Sequence, residues 1–253
     1  PLPREGGRGD GAQFIGDGSG RSPVAIVGGG PAGMALALAL RLQGLDAEIF
    51  EARERSAVRK DARVLALSDG ARQILCWRGA WPTPAATAIN TIHVSQRHGF
   101  GRTLIRAEEQ GVAALGWVVA ASDVIAALEA ALTQAGIAYR ERTKVGAGDT
   151  AQFALTAYAE GAVDADAGRR RDYGQHAVLC NVETAAPHRN VAWERFTGEG
   201  PLALLPLGDR YSVVLTCKDE ILESVRGLDD EEFLALLQRR FGSRHRFLAA
   251  TPR

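Results

Sequence analysis

The sequence predicts an α/β protein that opens on a βαβ unit and closes in a mostly antiparallel sheet. Three observations predict it. Four apolar residues, Val24–Val27, run straight into the glycines of VGGGPAG. A helical pattern and a second strand then complete a βαβ unit in roughly 30 residues. In the last third, four strand-like runs are separated only by turn residues, the pattern of an antiparallel sheet.

Each element follows from its residues. Val24–Val27 is continuously apolar, as suits a parallel strand buried on both faces. Pro31 opens the helix, where its missing N–H leaves no hydrogen bond unmade. AGMALALALRLQG is apolar nearly all round until Arg41, which places this helix deep against a sheet, and Gly44 stops it. DAEIFE is the second strand and ends at Glu51, with a right-handed crossover. Ser68 to Trp81 reads as a capped amphipathic helix closing at Gly79. TIHVSQ and GRTLIRA form a strand pair. Ser122 to Gly136 is a helix with Ser122 as N-cap and Gly136 just past its end. QFALTAYAEG is a further strand, and the charged run Asp164–Asp172 an exposed loop. GQHAVLCNVE, VAWERFT, PLALLPL and YSVVLTC are the antiparallel strands. DDEEFLALLQRRFG ends the chain's pattern as a helix with an acidic first turn and a basic last turn. The expected division is a flexible leader over 1–22, one domain over 23–165 and a second over 172–253. The strand pair near 90–107 is assigned to the second domain's side.

Composition narrows the function classes. The 253 residues are 46% apolar and 24% charged, ordinary for a folded soluble protein. Lys plus Arg and Asp plus Glu are 30 each, so no net field argues for nucleic acid. Cys76, Cys180 and Cys217 are scattered and odd in number, which reads as buried thiols in a reducing compartment. No run reaches the ~18 apolar residues of a membrane span. The Gly-rich leader has no apolar core of a targeting peptide, and a cytoplasmic location is expected.

Gly28, Gly30 and Gly33 stand in G-x-G-x-x-G spacing after a strand and at the opening of a helix, with Ala32 inside the same turn. Gly28 permits the sharp turn, Gly30 lets a pyrophosphate reach the backbone, and Gly33 lets helix and strand pack closely. Unpaired N–H groups and the helix dipole then hold the phosphates. Glu51 lies 18 residues past Gly33 at the end of the second strand, placed to accept hydrogen bonds from ribose hydroxyls. An acid there disfavours a 2′-phosphate, so the dinucleotide is FAD or NAD, not NADP.

At VAIVGGGPAGMALALALRLQGLDAEIFEAR and DARVLALSDGARQIL the sequence resembles the flavin-dependent aromatic hydroxylases. IHVSQRHGFGRTLI, ALGWVV, DYGQHAVLCNV and VAWERFTGEGPLALLPL narrow the resemblance to the ubiquinone-biosynthesis monooxygenases, the UbiH family. Their 2-polyprenyl-6-methoxyphenol hydroxylase branch is the most similar. The likeness runs from about Pro23 to Arg253. It implies a Rossmann-like FAD-binding domain and a mostly antiparallel substrate domain of the aromatic-hydroxylase type. It also implies hydroxylation of a prenylated phenol with O2 through a flavin hydroperoxide, with NADH or NADPH as reductant. Gly28, Gly30, Ala32, Gly33 and Glu51 would bind FAD, and Arg63, in DARVLALS, matches a family arginine that lies against the cofactor. The family sets a hydrophobic pocket between its substrate sheet and the flavin. Trp193, Phe196, Leu204, Leu205 and Pro206 are candidates to line it, although strand aromatics more often fill cores. Peripheral association with the inner membrane and a place in a ubiquinone-pathway enzyme complex follow from the same resemblance.

The sequence departs from the family in places. Glu160–Gly161 stands where the family carries Asp-Gly, and Ala120, Ala126 and Ala127 replace side chains that hydrogen-bond to FAD. The family's later flavin-pocket block would follow Arg253, so the chain is expected to be C-terminally truncated and its fold incomplete. Two other functions stay open: an NAD-linked dehydrogenase, and a non-catalytic nucleotide-binding or assembly protein. No catalytic residue is assigned. His93, His98, His176 and His188 have neither metal-ligand spacing nor a partner nucleophile.

Overall fold

A computed structural model describes residues 24–83, 85–146, 148–161 and 171–252. The leader over 1–22 and most of the loop 164–172 lie outside the described residues. In chain order the elements are β1 (Val24–Val27), α1 (Pro31–Leu42), β2 (Ala47–Phe50), α2 (Arg55–Arg59), β3 (Val64–Ser68), α3 (Asp69–Trp77) and β4 (Thr87–Ile89). They continue with β5 (Thr91–Gln96), β6 (Arg102–Arg106), β7 (Gly116–Ala120), α4 (Ala121–Ala135), β8 (Ala138–Arg140) and β9 (Leu155–Tyr158). The last are β10 (Gln175–Thr184), β11 (Val191–Phe196), β12 (Leu202–Leu207), β13 (Arg210–Lys218), α5 (Asp219–Arg226), α6 (Asp230–Phe241) and β14 (Phe247–Ala250).

Two compact units result. One holds the described residues of 1–54 and 132–161, the other those of 55–131 and 162–253. Segment 55–131 therefore groups with the C-terminal sheet, where the sequence reading kept all but its strand pair with the first domain.

The first unit is a four-stranded parallel sheet in the order β8-β2-β1-β9. Val24 pairs with Ala47 on one side and Leu155 on the other, so β1 is central and fully buried, as its apolar run requires. Helix α1 buries Gly33, Met34, Ala37 and Leu38. Its outer face departs from the expected deep burial: Ala32 is exposed and Leu42 is 60% exposed, because the helix packs one side on β1 and β2.

The second unit is built on a seven-stranded sheet in the order β14-β10-β13-β12-β11-β5-β6. All its pairings are antiparallel except β11 with β5, which is where the strand pair β5–β6 joins the later strands. Period-2 alternation sorts each strand's side chains between two faces. Val178, Cys180, Leu204, Tyr211, Val213 and Leu215 face α6, whose Phe233, Leu237 and Phe241 close this core. Each large apolar side chain so buried contributes roughly 1.5–3 kcal/mol. On the other face, Ala192 packs with Ile89 and Val118 of a three-stranded sheet, β3-β7-β4.

Several expectations are corrected. Helix α4 starts at Ala121 directly after β7, and Ala121 N–H donates to the Arg63 carbonyl at 2.9 Å. The carbonyl just before β3 thus receives the first N–H of the helix, and Ser122 lies inside the first turn and is not the N-cap. Cys76, in α3, is exposed, while Cys180 and Cys217 are buried and form no disulfide. Strands β3, β4, β7, β8 and β14 and helices α2 and α5 were not read from the sequence.

Candidate functional site: a dinucleotide cradle and a sheet-floored cavity

In the first unit, β1 ends and α1 begins across Gly28, Gly29 and Gly30. Two of the motif glycines serve the protein's own packing. Gly28 has φ +111° and a Cβ there would lie 2.5 Å from the Ala159 carbonyl. A Cβ on Gly33 would sit 2.0 Å from the Gly28 oxygen. Gly30 differs. Its φ of −77° and ψ of −179° suit any residue, and a Cβ there would meet nothing. No contact among the described residues explains the glycine, which fits a ligand approaching the backbone there.

The N–H groups around it are free to receive that visitor. Gly28 N–H donates to the Phe50 carbonyl and Gly29 N–H to Glu51 Oε2. Those of Gly30, Ala32 and Gly33 find no acceptor among the described residues, and they stand at the positive end of α1. Three free N–H groups at a helix start, beside a position that only a Cβ would obstruct, fit a pyrophosphate.

Glu51 follows β2 and is 4% exposed. Its Oε2 accepts from Gly29 N–H at 2.8 Å, and its Oε1 from the backbone and side chain of Arg53 at 3.0 and 2.8 Å. Burial opposes ionisation and is the largest single influence. The hydrogen bonds from Arg53 and Gly29 together outweigh it and hold the carboxyl below its ordinary pKa. The Arg53 side chain is 59% exposed, so a ribose can take its place on the carboxylate. Tyr139 Oη donates to the Gly29 carbonyl at 3.1 Å and fixes the loop from above. Neither Arg53 nor Tyr139 was singled out in the sequence. Arg53 had a signal, its position two residues after the acid, whereas Tyr139 arrives by strand pairing of β8 with β2.

The structure brings Gly28, Gly30, Ala32, Gly33 and Glu51 together, with the Glu160 N–H 2.7 Å from the Cβ position of Gly28. Arg63 belongs to the second unit. Its guanidinium pairs with Asp61, Nε to Oδ1 at 2.9 Å, and it lines a cavity of about 480 Å³. The floor is the sheet face opposite α6, through Leu179 and Asn181 of β10 and Ser212 and Val214 of β13. Thr251 closes one end, exchanging hydrogen bonds with Asn181 at 2.9 Å in both directions.

None of the five pocket candidates lines this cavity. Trp193 and Leu204 pack on the α6 side, Leu205 packs toward the three-stranded sheet, Pro206 is buried and Phe196 is 49% exposed. Reading alternate strand residues as facing opposite ways would have found Asn181 and Ser212 instead. Among the described residues no His, Cys, Asp or Glu group is arranged to hold a metal.

A nucleotide cradle on a parallel βαβ unit, carried in one chain with a large antiparallel sheet, defines a dinucleotide-binding protein. The chain belongs to the FAD binding domain family, whose sequence model matches residues 21–172. FAD is the dinucleotide that this family holds.

Over 87% of its length the chain is 29% identical to the ubiquinone hydroxylase UbiL of Rhodospirillum rubrum, spanning 57% of that protein. It is 26% identical to the mitochondrial ubiquinone biosynthesis monooxygenase COQ6 of Homo sapiens, spanning 56% of it. The chain thus spans little more than half the length of these relatives. Among solved structures, a flavoprotein/dehydrogenase of Cytophaga hutchinsonii matches 90% of the chain and 64% of its own, with TM-score 0.67 and 14% identity. The 2-methyl-3-hydroxypyridine-5-carboxylic acid oxygenase matches 89% of the chain and 69% of its own, at TM-score 0.59 and 14% identity. These structures share the fold.

Proposed function

We propose that this chain holds the cofactor and substrate of a flavin-dependent monooxygenase that hydroxylates a prenylated phenol in ubiquinone biosynthesis. Gly30 carries the reading: a position where the protein needs no glycine, ringed by free N–H groups and backed by a held acid. The names of the relatives in ubiquinone synthesis support the substrate class.

Bound FAD supplies oxygen activation and transfer of one oxygen atom to an electron-rich ring, drawing electrons from NADH or NADPH. The chain's residues supply the rest. Gly30, Ala32 and Gly33 N–H groups bind the pyrophosphate, and Glu51 accepts from the ribose hydroxyls once Arg53 turns aside. Arg63, paired with Asp61, keeps a permanent cation at the rim of the cavity. Leu179 and Val214 give the apolar body of the substrate a floor that excludes water. A prenyl tail keeps such a substrate in the membrane, so the reading includes a cytoplasmic protein that touches the inner membrane peripherally, in company with other enzymes of the pathway. No helix of the described residues is long and apolar enough to cross a membrane.

The test is a titration of the purified chain with FAD and with NAD, followed by flavin fluorescence and calorimetry. FAD is expected to bind at least about tenfold more tightly than NAD, a difference of about 1.4 kcal/mol. Gly30→Val is expected to weaken FAD by a similar factor while thermal unfolding stays at the wild-type temperature. Equal NAD binding, or FAD binding indifferent to the valine, overturns the reading.

A further inference from the structure

Along β11 the side chains alternate strictly. Trp193 packs against Phe241 at a ring distance of 5.6 Å, and Arg195 Nε donates to the Arg240 carbonyl at 3.2 Å, so both face α6. Glu194 between them faces the other way, the side on which Ala192 packs with Ile89 and Val118. The register carries this face straight to the cavity. Glu194 pairs with Ala203, Ala203 with Val214, and Val214 with Leu179. The last two are cavity floor. On its other side Glu194 pairs with Val94.

The carboxyl therefore stands about two strand spacings, or roughly 10 Å, from the cavity floor. Along the sheet, Ala203, with the smallest side chain of the row, is the residue between them. Glu194 is partly buried, and its carboxyl makes no hydrogen bond or ion pair among the described residues. Burial alone pushes its pKa up, which makes the carboxylate a stronger hydrogen-bond acceptor. A partly desolvated carboxyl without a partner is unfavourable in the protein by itself. It is favourable if a ligand brings a donor to it.

We propose that Glu194 accepts the hydrogen bond of the substrate's phenolic O–H, so that the row Leu179, Val214, Ala203 and Glu194 reads an apolar body with one hydroxyl at its end. This deepens the reading of the cavity as the phenol's site and rests on it. The carboxylate orients the ring and draws electron density from the O–H bond into it, and no proton needs to leave.

The experiment compares 2-geranylphenol with its methyl ether, which keeps the shape and lacks the donor. Both are titrated calorimetrically into wild-type protein, Glu194→Gln and Glu194→Leu. Wild type is expected to prefer the phenol by about tenfold. The preference shrinks in the Gln variant, whose neutral amide is a weaker acceptor, and vanishes in the Leu variant, while the ether binds all three alike or the Leu variant better. A phenol-to-ether ratio that is the same in all three proteins overturns the role of Glu194 and leaves the cavity reading standing. Wild-type protein that binds neither compound overturns both. Thermal unfolding at or above the wild-type temperature in the Leu variant keeps a folding defect from imitating the expected result.

Discussion

Glu51 serves the loop as well as any ligand, because its carboxylate ties Gly29 N–H to the end of β2. Its pKa lies below the ordinary 4.5, so near that pH the folded protein binds fewer protons than the unfolded chain. The stability it contributes is complete above 4.5 and is lost as pH falls through the lower, folded value. Glu51→Gln is therefore expected to lower stability at pH 7 by about 1–2 kcal/mol. The gap to wild type should narrow as pH drops below 4.5, and urea unfolding at a series of pH values measures it. A gap that stays constant with pH would show that the charge plays no part. The three motif glycines divide differently. Gly28 and Gly33 are fixed by clashes inside the protein, and Gly30 by no contact among the described residues. The sequence spacing named all three, but which one reports on a ligand became visible only from the space around each.

Among the elements, α6 shows how local sequence secures a core. Asp229 Oδ1 accepts from Glu232 N–H at 2.9 Å, and Glu232 Oε2 accepts from Asp229 N–H at 3.1 Å, a closed capping box. The box sets the helix that seats Phe233, Leu237 and Phe241 on the sheet. Asp229→Ala is expected to destabilise the second unit by about 1 kcal/mol, read as a lowered thermal midpoint. Elements of this kind were legible in the sequence because their signals are local: an acid cap before an apolar period, or an apolar run before glycines. Strands β3, β4 and β7 were not. VLALS and GWVVA are five residues each, and β7 passes into α4 without a turn residue, so nothing in the chain marks the border. The cavity was legible only in part: alternation along β10 and β13 turns Asn181 and Ser212 to one face, but does not bring them together. Asn181 and Ser212 meet only because β10 and β13 pair, and pairing between distant segments leaves no trace in either one alone.

For the whole molecule, the thiols report on the integrity of the second unit. Cys76 is exposed, while Cys180 and Cys217 lie in the core between sheet and helices. A thiol reagent is expected to label one cysteine of three quickly in the native protein and all three in denaturant. Two fast sites under native conditions would mean that α5 and α6 open from the sheet. The arrangement of the first unit matters for synthesis. Its strands β1 and β2 come from one segment and β8 and β9 from another, with the whole of 55–131 between them. The Gly28 turn rests on the backbone of Ala159. At about 5–20 residues per second, Ala159 leaves the ribosome roughly ten seconds after Gly28. During that interval β1 has an unpaired edge and the phosphate loop lacks its backing. A nascent chain shorter than this holds half a sheet, with an exposed apolar strand that a chaperone would have to shield until the rest is made.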